Sequence, residues 1–449
     1  MATRDGEPNA EPDSSPRRPE RAASRYLVNR SLLHPSVRRR ALGRNLALDL
    51  VAAVGAGVTV ALITTLLPTI ARRGGLEPIG LAALAAAPFV ANLLGIFAGR
   101  VGPRSARQLG MIRGAGATSL LVLIVSSAPL VVIAVTFAFW LSLSLSGPFY
   151  LRLWGSMYPA RMLGRLVGVA GSVKAGAAAT AALAGGIFAD RVGGLTAVAL
   201  AGAVGLVCAS AYAGLRAPTA TRPTAFSARD SIRALRERPV LARIALAQGF
   251  YGGGLIAAVP LYAIVNVDRL DLSLSDVGII GIMTAGATTI FFLIWGGVAD
   301  RRGPLVAMRI GSAFGLVALV AYALAPSVGV LWIAAIGAGA GSASIDVGIA
   351  AAVSDQTTIE SRASAMAGWN AITGARGIAA AFAMSALLQL GFVNVTSGLL
   401  LCAAISGIGV VLYAQTSAEE AEMESEPEGA LRPSRMGRAV QGLRAVASR

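Results

Sequence analysis

Twelve apolar runs dominate this sequence, each long enough to cross a hydrocarbon layer of about 30 Å as a helix. They lie at 46–69, 79–99, 108–127, 129–152, 165–188, 194–215, 243–266, 276–299, 306–325, 328–352, 365–389 and 393–414. Lipid offers no partner to a backbone N–H or C=O, so each run must close its own hydrogen bonds as an α-helix. The expected fold class is all-α and integral to the membrane, with about twelve transmembrane helices. Composition agrees: of 449 residues 55% are hydrophobic and only 14% are charged, against about 25% charged in soluble domains. Ser142, Ser144, Ser146 and Pro148 interrupt the fourth run and predict a kink or an early end there.

The formal charge of +16 is carried by arginines at the ends of apolar runs and in the tails, not along a continuous basic face, which argues against a nucleic-acid partner. Short basic loops stay cytoplasmic. With both termini inside, the outward segments hold only Arg72, Arg73, Arg191 and Arg269, and almost all other arginines fall inside. The expected location is the cell (inner) membrane, multi-pass. The chain then divides into a cytoplasmic tail (1–44), a first bundle (45–215), an arginine-rich cytoplasmic linker (216–242), a second bundle (243–415) and a second tail (416–449). Residues 25–44 and 431–449 mix arginines with apolar residues, as surface helices or disordered tails would. The acidic stretch 419–428 reads as solvated and disordered. Residues 1–24 have no apolar core of a signal peptide, so the first run serves as the insertion signal.

Enzyme chemistry finds no footing. The single histidine, His34, has no second imidazole, and Cys208 and Cys402 sit inside apolar runs as small hydrophobes. No P-loop, dinucleotide fingerprint, nucleophile–base pair or metal-ligand spacing occurs, so no cofactor and no metal are expected.

A repeat organises the chain. GIFAGRVGP at 95–103 returns as GGVADRRGP at 296–304, each closing the second helix of its half. Gly296 suits a close helix approach, Gly303 a tight turn, and Asp300 a helix cap or a pairing with arginine. On these residues the chain resembles the major facilitator superfamily, whose loops between helices two and three, and eight and nine, carry Gly-x-x-x-Asp-Arg-x-Gly. The second copy matches through Gly296, Asp300, Arg301 and Gly303. The first keeps Gly95, Arg100 and Gly102 but has Gly99 in place of the aspartate, which puts its latch in doubt. A third string, GIFADRVG at 186–193, falls at the outer end of helix five. The resemblance implies two six-helix bundles related by pseudo-two-fold symmetry, rocking about a central site lined by helices one, four, seven and ten.

Charges at membrane depth cost about 2.5–3.5 kcal/mol on insertion scales and demand a partner, a cavity or a role. Lys174, Asp346 and Arg376 fall at similar depths, as a midplane charge cluster or, for Asp346 with Arg376, a structural ion pair. Asp49 and Arg152 lie nearer the cytoplasmic surface and resemble in placement the helix-one acid and helix-four arginine of proton-coupled family members. The alternative is an interfacial arginine beside an aspartate cap. Gln248, Tyr251 and Asn370, with Asn92 and Trp369, are further polar candidates, and Pro68, Pro88 and Pro260 are candidate kinks. Helix five lacks the Gly-Pro element typical of the family's drug/proton antiporters. The embedded set is one charge positive, favouring an anionic or neutral substrate.

The expectation is a monomeric secondary active transporter of a small organic solute, with protons as coupling ion and the lipid bilayer as its setting, export being favoured over uptake. The alternatives are an uptake symporter of the same fold and a non-transporting membrane receptor or scaffold.

Overall fold

The computed structural model describes residues 35–95, 102–158, 160–216, 233, 237–357 and 359–425. They form twelve helices. In the first half these are α1 (Pro35–Ala61, a wide π turn Leu62–Leu66, then Leu67–Arg73), α2 (Pro78–Leu94), α3 (Ala106–Ser119, tightening into a 3-10 turn Leu120–Ile124), α4 (Pro129–Met157), α5 (Ala160–Val192) and α6 (Gly194–Ala213). The second half has α7 (Pro239–Ile264 with a π turn Val265–Arg269), α8 (Leu274–Arg302), α9 (Pro304–Leu324), α10 (Val328–Gln356), α11 (Ile359–Gln389) and α12 (Val395–Ser425). Proline opens α2, α4, α7 and α9, where its missing N–H costs nothing and its fixed φ already suits a helix. Ten of the helices are long and apolar enough to span a membrane; α2 is apolar and shorter.

The helices form two six-helix bundles, α1–α6 and α7–α12. Odd-numbered helices run from the end that holds the described termini, here the terminus end, to the opposite, far end. Between the bundles α2 packs along α11 and α5 along α8. Small residues allow these approaches: a Cβ on Gly278 would meet the Ala182 carbonyl, and one on Gly377 the Phe89 ring.

Three expectations need correction. The fourth helix does not end early at its serines; it runs as one helix to Met157 with Pro148 inside it. Ser142 and Ser146 turn their hydroxyls onto the carbonyls of Phe139 and Leu143 one turn back, so they cost the helix no polar exposure. The acidic stretch is helical as far as Ser425, because Glu, Ala and Met are good helix formers and prolong α12; residues 426–428 lie outside the described set. Residues 35–44 belong to α1 itself and form no separate surface helix. Residues 25–34 and 431–449, like Gly99 and Arg100, lie outside the described residues.

Candidate functional site

In the first bundle, Asp49 of α1 is buried and its carboxylate accepts hydrogen bonds from three aromatic donors of the fourth helix and its end. Tyr150 donates at 2.5 Å, Trp154 Nε1 at 2.8 Å and Tyr158 at 3.5 Å. They share one side because α4 carries Tyr150 and Trp154 at i and i+4. Arg113 of α3 lies over the Tyr150 ring at 4.7 Å and donates to the Tyr212 hydroxyl at 2.7 Å and to Ser146 at 2.9 Å. Through the shared Tyr150 ring it stands beside the Asp49 cage. The ion pairs among the described residues are Arg72–Asp268 and Arg233–Glu237. Asp49 therefore is held by aromatic donors and faces Arg113, without an ion pair to Arg152. No periodicity rule points to an aromatic cage, but Arg113 could have been found as a charge inside the third apolar run.

In the second bundle, Arg376 of α11 donates to the backbone carbonyl of Gln248 on α7. The Gln248 side-chain oxygen accepts from Tyr413 of α12 at 2.6 Å. The Nε of Arg376 and the hydroxyl of the buried Tyr251 have no hydrogen-bond partner among the described residues. Tyr251 points its hydroxyl into the crossing of α9 and α10 at Gly315 and Gly341. Asn370 is exposed and stands apart from this cluster. No Asp346–Arg376 pair forms.

Lys174 and Asp346 are exposed side chains at membrane depth, each about 27 Å along its helix from the far end. Helical spacing tells what they face. Lys174 lies one and two turns from Ala178 and Ala182 on the same stripe of α5, and both alanines line a cavity between the bundles. On α10, Gly341, Ser344 and Gly348 pack on α9. Asp346 projects from the opposite side, shared with cavity-lining Ala335 and Ala338. Both charges thus face the cleft between the bundles, on opposite walls and at one depth. They are too far apart to form an ion pair.

The cavity has a volume of about 430 Å³ and is walled by α1, α5, α7, α8, α9 and α10. Its two long walls include the π turns of α1 and α7, which sit at corresponding places in the two halves. Pro68 explains the first: its ring displaces the carbonyl four residues back, and the helix widens over Leu62–Leu66. These turns present Thr64, Thr65 and Asn266 to the cavity. Asn266 donates to Thr69 at 3.3 Å across the bundle boundary and accepts from Tyr322 at 2.5 Å. No charged residue among those described lines it. None of Asp49, Arg152, Lys174, Asp346, Arg376, Gln248, Tyr251 and Asn370 lies on its wall. Sequence reading missed Asn266, although an amide inside an apolar run is a visible signal.

Beyond the cavity, polar bonds close the far end. Arg72 pairs with Asp268 at 2.5 Å, and Arg73 donates to the Leu272 carbonyl. Gln389 donates to Glu77 at 3.0 Å. Asp190, from the 186–193 string, accepts from the backbone N–H groups of Leu274 and Ser275 at 2.9 Å each and from the Ser275 hydroxyl at 2.5 Å. A carboxylate of one bundle thereby caps a helix N-terminus of the other. Among the described residues, every hydrogen bond or ion pair between the bundles lies in this far half.

The second repeated turn, at the terminus end, is not so engaged among the described residues. Asp300 and Arg301 are exposed, and Asp300 has no hydrogen bond among the described residues. Gly303 does make the tight turn, at φ 84°, and donates to the Ala299 carbonyl at 3.0 Å. A Cβ on Gly296 would meet nothing within 4 Å, contrary to the close approach expected of it; the same side of α8 packs on α5 nearer the far end, at Gly278 and Gly281. The close approach belongs to the first copy: a Cβ on Gly95 would meet the Ser144 hydroxyl of α4 at 2.6 Å. Gly102 lies in the turn leading to α3.

The sequence matches the family model described as Major Facilitator Superfamily over residues 50–336 and 244–445. A search of curated proteins found none that matches. Among solved structures, the nucleoside transporter NupG is similar at TM-score 0.64 and 14% identity, covering 84% of this chain and 98% of that one. A bacterial homolog to the human lysosomal transporter Spinster, inward-facing and unoccupied, is similar at TM-score 0.63 and 13% identity, covering 87% and 99%. A POT family transporter in complex with 5-aminolevulinic acid reaches TM-score 0.67 at 11% identity, covering 84% and 96%. At these identities the likeness is one of fold.

Proposed function

Because the chain belongs to the Major Facilitator Superfamily, we propose that it is a secondary active transporter that carries a small organic solute by alternating access, coupled to protons and running as an exporter. The observation that carries this reading is the cavity between two bundles whose polar bonds to one another, among the described residues, lie beyond it at the far end. With the termini cytoplasmic, as the arginine distribution favours, this is the state that loads from inside the cell. The bundle boundaries at 45–215 and 243–415, the cell (inner) membrane and a monomeric state are part of the same proposal.

Asp49 is the proton site of this reading, in a cage whose nearby cation is Arg113. Lys174 and Asp346 approach one another when the terminus end closes, which gives both charges a state-dependent partner. Arg376, Gln248, Tyr251 and Asn370 shape the second wall of the path, and Arg152 its entrance. The Gly99 and Asp300 turns act as the terminus-end gate. Export over uptake rests on the frequency of exporters in the family.

Reconstitution into liposomes tests this. An imposed pH gradient is expected to drive solute flux, abolished by Asp49→Asn with unchanged thermal stability. Unaltered pH dependence in that variant removes Asp49 from coupling, and flux of the opposite sign makes the protein an uptake symporter. A receptor or scaffold, the reading that the missing aspartate at Gly99 favours, moves nothing.

A further inference from the structure

We propose that the cargo of this cavity is an uncharged amphiphile, a drug-sized molecule with an apolar or aromatic body and one or two hydroxyl or carbonyl groups; this rests on the transporter reading above. The cavity volume of about 430 Å³ suits such a ligand. Most of its wall is Ala, Val, Leu, Ile and Gly. Its polar lining is Thr64, Thr65, Thr69, Tyr262, Asn266, Thr284 and Tyr322, of which Thr69, Asn266, Tyr322 and Tyr262 are joined by contacts.

That patch is part satisfied and part open. Asn266 is fixed between Thr69 and Tyr322, and the Tyr262 and Tyr322 rings stack with centroids 4.2 Å apart. Thr64 and Thr284 return their hydroxyls to their own helices at 2.8 Å. The hydroxyls of Thr65 and Tyr262, both on the cavity wall, make no hydrogen bond among the described residues. They are the groups left for a ligand, a donor or acceptor on each of two facing bundles, beside an aromatic face for stacking.

Charge is excluded by the same geometry. An ion in an apolar cavity keeps its desolvation cost unless an opposite charge meets it. Several formal charges at the far rim are already engaged: Arg72 with Asp268, Arg269 with the Tyr322 and Ala323 carbonyls, Asp190 with the α8 N-terminus. Lys174 lies a turn below Ala178, and Asp346 about 12 Å below Ala338, toward the terminus end. An ionised solute passes those charges on its way but finds no counterion at the cavity itself.

The test uses three solutes on one scaffold: naphthylmethanol, naphthoate and naphthylmethylammonium, with the full chain in detergent. The alcohol is expected to raise Tm by about 2–4 °C at saturation, more than either ion. Tyr262→Phe should weaken the alcohol by about five- to tenfold, the worth of one hydrogen bond, with the Tm of the free protein unchanged. Ala338→Trp, which fills the cavity, should abolish its effect; if that variant does not fold, Tyr262→Phe decides. A larger shift from either ion, no shift from the alcohol, or an alcohol shift indifferent to both substitutions overturns the proposal. Flux in liposomes separates the two readings. Transport of an ion in preference to the alcohol leaves a transporter and overturns the cargo class. Cavity-dependent binding of the alcohol, with no flux under any gradient, supports the ligand class and overturns the transporter.

Discussion

Two strings of identical spacing, Gly186-x-x-x-Asp190-Arg191-x-Gly193 on α5 and Gly296-x-x-x-Asp300-Arg301-x-Gly303 on α8, end their helices at opposite faces of the membrane. Both finish on a glycine of positive φ, 96° and 84°, that turns the chain straight into the next helix. Their surroundings differ. Gly186 lies against the backbone of Leu274 and Asp190 caps α8, whereas Gly296 faces open space and Asp300 is exposed. The motif is thus a local device for turning a helix and offering a carboxylate, and the opposing bundle decides whether the offer is taken. In an alternating-access protein one such carboxylate should be engaged in each state.

Five substitutions break or sharpen this comparison, each read by spin labels on the α5–α6 and α7–α8 turns. Gly186→Leu should have the largest effect. Its Cβ would lie 2.3 Å from the Leu274 carbonyl oxygen, which cannot move without displacing α8. An overpacking cost of up to about 3 kcal/mol shifts the far-closed state by roughly a hundredfold. Far-end distances unchanged in that variant would disprove the close seam. Asp190→Asn keeps the shape but loses the charge on the helix N-terminus, and should open the far end by roughly five- to tenfold. Arg72→Gln removes an accessible ion pair worth about 0.2–1 kcal/mol, so its effect should be small and should vanish at high salt. Gly296→Leu and Asp300→Asn should leave far-end distances and Tm unchanged, within about 0.5 kcal/mol. A shift as large as that of Asp190→Asn would show that Asp300 is already engaged.

Legibility in the sequence followed the range of the interaction. Helix count and most boundaries were readable because a run of apolar residues in lipid has one way to satisfy its backbone. The duplication was readable because the halves keep the same turn, and even the π turns fall at corresponding positions. The site was only partly readable. Lys174 and Asp346 stood out as charges in apolar runs, and both face the cleft. Asp49 stood out too, yet its company did not: Tyr150, Trp154 and Tyr158 are ordinary aromatics until α4 packs on α1. Asn266, an amide inside an apolar run, was visible but passed over, and Thr65 and Tyr262 carry no sequence mark that separates them from other polar residues in membrane helices. The string at 186–193 carried the same mark as the gate motif, and only its contact with α8 gives it a role.

By itself, then, the sequence determined a twelve-helix duplicated membrane protein, with acids and bases placed at membrane depth where neither is cheap. That much depends on local hydrophobicity and on transfer from water to lipid, which each segment experiences alone. Tertiary structure decided which carboxylate holds the bundles together, that Asp49 rests in an aromatic cage, and that the cavity is uncharged. Those outcomes depend on side chains some hundred to two hundred residues apart meeting across helix faces, and helix-to-helix register is set by packing that no single run contains.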